Sequence, residues 1–181
     1  NLQRAAHLIQ SFKQVAVDQS SDQYREFDLK HTIEEIMLTL EPMFRRTPFG
    51  VDLTLSENIQ MQSYPGALAQ IITNCINNAL THAFEGRNEG VIYIRSHLSL
   101  DDDVVIEISD NGRGISEEDL PRVFEPFFTT KLGHRGSGLG LNIVYNLSND
   151  VLWGRVEIRS KPEQGTTLIF HFPRSIAPEE V

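Results

Sequence analysis

The spacing of apolar residues predicts where the helices and strands of this chain lie. Apolar residues three or four positions apart indicate helices in residues 29–44, 66–83 and 139–147, and Asp28 is placed to cap the first of them. Alternating or continuous short apolar runs indicate strands near residues 51–55, 59–61, 91–94, 104–109, 156–159 and 166–170. Three main helices and about five or six strands, in a mixed and mostly antiparallel sheet, predict an α/β fold, a two-layer α/β sandwich.

The first residues carry a separate helical pattern. Leu2, Ala5, Ile9, Phe12 and Ala16 form an apolar seam, and the polar stretch that follows indicates a linker. A helix tethered in this way either docks on its own domain or packs against a partner, and we favour the partner. We therefore expect a fragment of a longer protein, with a helix at 1–20, a linker at 21–27, a compact domain at 28–175 and a tail at 176–181.

Composition excludes several classes of function. The 181 residues are 40% apolar, enough for a core, and their net charge of −9 argues against a nucleic-acid surface. No apolar run approaches the roughly 20 residues of a membrane span, and no secretory signal opens the chain. Cys75 is the single cysteine and cannot pair within the chain, which fits a reducing compartment.

Two glycine clusters flank the segment 124–131, and an apolar helix pattern follows the second cluster. The first cluster is Asp110-Asn-Gly-Arg-Gly114, and the second runs from Gly136 to Gly140. Glycine lets backbone N–H groups approach a ligand closely, and a helix N-terminus favours an anion such as phosphate. Asp110 follows an apolar strand and can accept a hydrogen bond from an exocyclic amine such as that of adenine. The stretch predicts a nucleotide pocket whose mobile lid lies between its two glycine turns.

A polar stripe on the second helix predicts another side of the same pocket. Gln70, Asn74, Asn78 and His82 lie four residues apart, while the apolar residues between them face the core. Asparagine is a poor helix former, so asparagines in register on an apolar helix favour a ligand-facing stripe over a solvated face. An amide oxygen is a neutral ligand that suits Mg²⁺ together with phosphates and water.

These motifs resemble, in the same order, the N, G1, F, G2 and G3 boxes of sensor histidine kinases. The matching segments are 74–82, 110–114, 124–131, 136–140 and 165–166. The resemblance covers about residues 25–173 and implies the GHKL (Bergerat) type of ATP-binding sandwich. Residues 1–20 resemble the end of the second helix of the dimerisation and histidine-phosphotransfer domain.

The resemblance implies a role for each matched residue. Asn78 matches the asparagine that ligates Mg²⁺, and Asn74 lies beside the phosphates. Asp110 matches the aspartate that binds the adenine amino group, and Lys131 is placed where a cation reaches the terminal phosphates. The candidate catalytic residues are therefore Asn74, Asn78 and Lys131. With the two asparagines, the expected ATP contacts are His82, Asp110, Gly112, Gly114, Ile115, Phe128, Thr130, Lys131, Gly136, Ser137, Gly138, Leu139, Gly140, Leu141 and Thr166.

The implied activity is transfer of the ATP γ-phosphoryl group to a histidine of the protein's own dimerisation domain, in a full-length homodimer, and then to a response regulator. The domain would be cytoplasmic, free or as part of a membrane-bound sensor, without membrane contact of its own. Hydrolytic relatives of the fold carry a glutamate where Asn74 stands, and asparagine cannot act as a general base. The alternatives are a serine kinase or ATPase of the same fold and a non-catalytic ATP-binding interaction module.

The chain departs from the family pattern at three positions. Thr81 and His82 stand where a basic and an aromatic residue are common, and Trp153 stands where a small residue is common. In addition, each histidine of the chain is followed by a residue other than an acidic one, whereas the family phosphorylates a histidine that precedes an acidic residue. We therefore predict that this chain binds ATP but does not phosphorylate itself.

Overall fold

A five-stranded sheet and three α-helices form the two layers of the fold in the computed structural model, which describes residues 23–129 and 138–177. The strands are β1 (Arg25–Asp28), β2 (Phe49–Leu55), β3 (Gln60–Ser63), β4 (Gly90–Leu98), β5 (Val104–Asp110), β6 (Arg155–Ser160) and β7 (Thr166–Phe172). The helices are α1 (Leu29–Phe44), α2 (Pro65–Asn78) and α3 (Gly140–Asn146). The predicted two-layer α/β sandwich is confirmed.

The main sheet has the strand order β2-β4-β5-β7-β6, and every neighbouring pair except β2–β4 is antiparallel. The chain crosses from β2 to β4 through β3 and α2, the long connection that a parallel pair requires. One face of the sheet packs on the helices, where Ile94, Ile106 and Phe170 are almost fully buried with Ile33 and Ile72. The core therefore lies between the two layers.

The Asp28 side chain accepts a hydrogen bond from the backbone N–H of His31 at 2.9 Å, so the predicted cap of the first helix is confirmed. Residues 25–27, which the sequence pattern assigns to a linker, belong instead to β1, which pairs antiparallel with β3. Strand β1 contains one buried residue, Phe27, and too few apolar residues to show a period. The described chain thus has seven strands rather than the five or six expected.

Helices α2 and α3 both continue into a π turn, at Ala79–Ala83 and Leu147–Val151. After the second π turn Trp153 adopts a φ of 52°, in the left-handed region that favours glycine, and its side chain is 48% exposed. Trp153 therefore occupies a backbone conformation that glycine adopts with less strain.

Some expectations fall outside the described residues. These are the N-terminal helix at 1–20, most of the lid with its predicted contacts Thr130, Lys131, Gly136 and Ser137, and the end of the tail. Within the residues that are described, none of the helices combines the length and the hydropathy needed to cross a membrane.

Candidate functional site

A cavity of about 520 Å³ lies between α2, the loops that follow β5 and the start of α3. It brings together side chains from segments more than sixty positions apart in the sequence. Eleven of the residues predicted to contact the nucleotide line it: Asn74, Asn78, His82, Asp110, Gly114, Ile115, Phe128, Gly138, Gly140, Leu141 and Thr166.

Asp110, the last residue of β5, lies at one end of the cavity, which we call the base end. Its Oδ1 atom accepts a hydrogen bond from the backbone N–H of Gly112 at 2.8 Å. Burial raises the pKa of the Asp110 carboxyl, and the backbone N–H groups of Gly112 and Thr166 and the charge of Arg87 oppose that rise. Asp110 also lines the cavity, so its largely buried carboxylate can accept a hydrogen bond from a base amine.

The turn after Asp110 requires glycine for two different reasons. Gly114 has a φ of 70°, and a Cβ atom at this position would lie 1.9 Å from the carbonyl oxygen of Lys161. Gly112 lies behind the cavity, where a Cβ atom would approach the carbonyl oxygen of Ala83 to 2.5 Å. Gly112 was predicted to contact the nucleotide, but the structure places it against α2's π turn, where it lets the loop pack closely.

Ser160 connects the loops of the base end, and its role has no signal in the sequence pattern. Its Oγ atom accepts from the backbone N–H of Ile115 at 2.9 Å, donates to the carbonyl oxygen of Gly165 at 2.8 Å and lies 2.9 Å from Thr166 Oγ1. Every polar group in this cluster has a partner. One hydroxyl therefore positions two residues of the cavity wall, Ile115 and Thr166.

The opposite end of the cavity, which we call the phosphate end, carries the asparagines of α2. Asn74 donates through Nδ2 to the carbonyl oxygen of Gln70 at 2.9 Å, which leaves its Oδ1 atom for the cavity. Asn78 is different because its Nδ2 atom is buried and has no hydrogen-bond partner among the described residues. A buried donor without a partner is costly, so it is a place where a ligand oxygen would be stabilising.

Gly140, the first residue of α3, passes directly over these two amides. A Cβ atom at Gly140 would lie 3.2 Å from Asn78 Oδ1 and 3.5 Å from Asn74 Oδ1. The close approach places the start of α3 and the two amides on the same small volume of the cavity. Leu139, which precedes α3, was predicted to contact the nucleotide, but it does not line the cavity.

The π turn at Ala79–Ala83 aligns His82 with the asparagines. In a continuous α-helix a spacing of four residues rotates each successive side chain by about 40° around the axis. A π turn contains more residues per turn, so His82 rotates back towards the line of Asn74 and Asn78. Both Thr81 and His82 line the cavity as a result.

The aromatic segment before the lid is anchored at one end. Phe124 packs against the core, its ring lies 5.3 Å from that of Tyr145, and its carbonyl oxygen accepts from Asn142 Nδ2 at 3.0 Å. Phe128 lines the cavity with the guanidinium of Arg122 4.7 Å above its ring, whereas the Phe127 side chain is 57% exposed. Phe124 therefore holds this segment against the core and α3.

Several residues of the cavity wall were not predicted from the sequence to contact the nucleotide. The apolar and small ones also belong to helices and strands of the core, so their pattern gives no separate signal. Arg113, Ser116 and Asp119 are polar and lie in or beside the motif at 110–114, so their position in the sequence could have identified them. The wall residues that were missed are Cys75, Asn77, Ala79, Thr81, Ala83, Arg113, Ser116, Asp119, Val123, Thr129, Ile158 and Leu168.

The side chains available to coordinate a metal ion favour one that is held partly by the phosphates of the substrate. Across residues 23–129 and 138–177 there is no group of three or more His, Cys, Asp or Glu side chains that could hold a metal ion. Mg²⁺ typically uses one or two protein oxygens together with substrate phosphates and water. The amide of Asn78 at the phosphate end fits that arrangement.

Comparison with known proteins gives a consistent result. A profile of the family described as "Histidine kinase-, DNA gyrase B-, and HSP90-like ATPase" matches residues 64–176. The sensor histidine kinase GraS of Staphylococcus haemolyticus is 35% identical over 155 residues, which cover 83% of this chain and 43% of GraS. The anti-sigma F factor of Clostridium botulinum is 34% identical over 95 residues, which cover 52% of this chain and 61% of that protein.

Among solved structures, the catalytic domain of histidine kinase ThkA is similar to this chain with a TM-score of 0.72 and 28% sequence identity. The match covers 84% of this chain and 97% of the ThkA domain. The chain thus corresponds to nearly all of one catalytic domain but spans less than half of GraS.

Proposed function

The chain belongs to the histidine kinase-, DNA gyrase B- and HSP90-like ATPase family, and we propose that it is the catalytic domain of a sensor histidine kinase. In this proposal it binds ATP and transfers the γ-phosphoryl group to a histidine of a dimerisation domain. The domain acts in the cytoplasm, and a response regulator receives the phosphoryl group afterwards. The single observation that carries the proposal is one cavity with a carboxylate acceptor at the base end and paired amides at the phosphate end.

Asp110 and Asn78 would bind the two ends of the nucleotide. The Asp110 carboxylate accepts from the amino group of adenine, and Thr166 and Ile115, both held by Ser160, form the wall beside it. At the other end the buried Nδ2 donor of Asn78, which has no partner in the described part of the chain, fits a phosphate oxygen, and its Oδ1 atom would hold Mg²⁺. The metal supplies charge neutralisation when it is bound.

Phosphoryl transfer needs positioning and charge neutralisation more than covalent help from the protein. Asn74 and Asn78 orient the phosphates, and Lys131, whose assignment rests on the sequence motif, supplies a positive charge near the terminal phosphate. The γ-phosphorus then forms a bond to an imidazole nitrogen of the acceptor, the bond to the bridging oxygen breaks, and ADP leaves.

Asn74 favours a kinase over a hydrolase. Its amide is held by the Gln70 carbonyl and cannot take a proton from water. A serine kinase of the anti-sigma-factor type remains the second candidate, because an anti-sigma F factor matches 52% of the chain. The broader match to GraS, over 83% of the chain, favours the histidine kinase.

Transphosphorylation tests this function. The chain is mixed with radiolabelled ATP and a supplied dimerisation domain, and the product is analysed for acid-labile phosphohistidine. We expect label on the dimerisation domain and none on the chain itself, because no histidine of the chain precedes an acidic residue. Acid-stable phosphoserine on a supplied protein would favour the second candidate, and label on the isolated chain would contradict the proposed acceptor.

A further inference from the structure

Three loops meet at the base end of the cavity, and their backbones hold one another. They are the turn loop (83–89), the Asp110 loop (110–114) and the hairpin loop between β6 and β7 (161–165). The backbone N–H of Arg113 donates to the carbonyl oxygen of Ala83 at 3.0 Å, and the Arg113 carbonyl oxygen accepts from Glu163 N–H at 2.7 Å. The loop that carries Asp110 is thus held from both sides.

Two ion pairs cross the same junction. Arg87 Nη2 lies 2.8 Å from Glu163 Oε2 and joins the turn loop to the hairpin loop, across 76 positions of sequence. Arg113 Nη1 lies 3.4 Å from Glu85 Oε2 and joins the Asp110 loop to the turn loop. The turn loop is therefore joined to the hairpin loop by one ion pair and to the Asp110 loop by the other.

Glu163 occupies a backbone conformation that disfavours it. Its φ is 62°, in the left-handed region where glycine is the unstrained residue. Its side chain is 78% exposed, and an exposed ion pair contributes little to stability. The bond from Glu163 N–H to the Arg113 carbonyl oxygen holds the backbone in this conformation, and it places the Glu163 side chain beside Arg87 at the edge of the base end.

Arg87 also acts electrostatically on Asp110. Burial is the main cause that raises the pKa of the Asp110 carboxyl, and the Arg87 charge lowers it. Among the described residues, the other ionisable side chains on the cavity wall are Cys75, His82, Arg113 and Asp119. Arg87 thus favours the ionised carboxylate that accepts from a base amine.

We propose that the Arg87–Glu163 pair is a latch that holds the Asp110 loop around the base and slows release of the nucleotide. Neither side chain lines the cavity, so both are positioning residues that act through the loops. This role rests on the proposed binding of ATP and adds to it a determinant of how long the nucleotide stays bound.

The latch is tested by the rate at which a fluorescent ATP analogue leaves the full chain in the presence of Mg²⁺. The variant Glu163→Gly removes the carboxylate and at the same time relieves the backbone strain. We expect release to become about two- to fivefold faster, the range that an exposed ion pair can supply, while the Tm stays equal or rises. Unchanged release would overturn the latch, and so would faster release accompanied by a lower Tm, which indicates a merely structural role.

Asp102→Gly is the matched control, because Asp102 is the acidic partner of an ion pair and also has a left-handed backbone, with a φ of 64°. Arg174 Nη1 lies 3.0 Å from Asp102 Oδ1, so this pair also joins distant segments, but at the opposite end of β5. We expect the control to release the analogue at the wild-type rate. A control that accelerates release as much as Glu163→Gly would overturn the latch, because any ion pair between segments would then have the same effect.

Nucleotide binding measured over a range of pH distinguishes the role of Arg87 from that of Glu163. Arg87→Gln removes a positive charge near Asp110, so the pH at which binding is half lost should move upwards, whereas Glu163→Gly should leave it in place. A pH profile of Arg87→Gln that coincides with that of wild type would contradict the effect of the Arg87 charge on Asp110. A wild type that binds no analogue would overturn the proposed function and the latch together, while tight wild-type binding with unaffected variants would overturn the latch alone.

Discussion

The two ends of the cavity are built differently. At the base end the hydroxyl of Ser160 has three partners, and the loops around Asp110 are bonded to one another through their backbones. At the phosphate end the buried Nδ2 atom of Asn78 has no partner in the described part of the chain. The contacts of the base end are formed without a ligand, whereas the phosphate end, as far as the chain is described, contains one buried donor that lacks a partner.

From this difference we expect the base end to select the nucleotide and the phosphate end to act on the groups that react. A preformed end selects its ligand by shape and hydrogen bonding at little cost of ordering. At the phosphate end, hydrogen bonds that form only when phosphates bind can stabilise the groups that react. Substitutions that break the contacts between the base-end loops should therefore destabilise the free protein, whereas removal of the Asn78 amide should affect mainly binding.

Gly114→Ala should have the largest effect on stability. The new Cβ atom would lie 1.9 Å from the Lys161 carbonyl oxygen, and the φ of 70° is strained for alanine. We expect a loss of more than about 2 kcal/mol in the free energy of unfolding, since backbone must move as well. Denaturant titration measures it.

Gly86→Ala is the matched control for that change. Gly86 has a similar φ of 73°, but a Cβ atom added there would meet nothing within 4 Å. It should lose only the strain energy, about 1 kcal/mol. Equal losses in the two variants would show that the loop contact contributes nothing.

Ser160→Ala should have the next largest effect. It removes the partner of Ile115 N–H, of the Gly165 carbonyl and of Thr166 Oγ1. We expect a loss of about 1–3 kcal/mol, the cost of leaving buried polar groups unpaired. Ser148→Ala, which removes a single bond to the Val144 carbonyl within a helix, should lose less, and the reverse order would contradict the account.

Asp110→Asn should stabilise the ligand-free fold at neutral pH. The pKa of Asp110 is raised by burial, so the folded state holds its proton more tightly than the unfolded state does. Stability from this group is then present below the unfolded pKa and is lost as pH rises through the folded pKa. The neutral amide avoids that loss, so its Tm should exceed that of wild type at neutral pH and the difference should shrink in acid. A lower Tm at neutral pH would contradict the direction of the shift.

Asn78→Ala should change stability least. Within residues 23–129 and 138–177 the buried Nδ2 atom of the side chain makes no hydrogen bond, and alanine is the better helix former. We expect a change within about 0.5 kcal/mol in thermal or chemical unfolding, smaller than the loss in Asn74→Ala, which breaks a bond to Gln70. A large loss in Asn78→Ala would mean that the phosphate end is also complete without a ligand.

The parts of the site that the sequence predicts are those carried by local patterns. The stripe of Asn74, Asn78 and His82 follows from helical spacing, and Asp110 follows from a strand that ends in a glycine turn. The role of Ser160 could not be predicted, because it depends on contacts between residues up to 45 positions apart. The π turn at Ala79–Ala83 and strand β1 also leave no periodic signal, since tertiary packing determines both.

Calorimetric titration with a non-hydrolysable ATP analogue, with and without Mg²⁺, tests the two-ended site most directly. Wild type should bind, and Mg²⁺ should strengthen binding. Asp110→Asn should weaken binding about tenfold or more in both conditions, as expected for a lost hydrogen bond to a charged group, while Asn78→Ala should lose mainly the enhancement by Mg²⁺. If wild type does not bind, or if both variants bind as wild type does in both conditions, the cavity is not a nucleotide site of this kind.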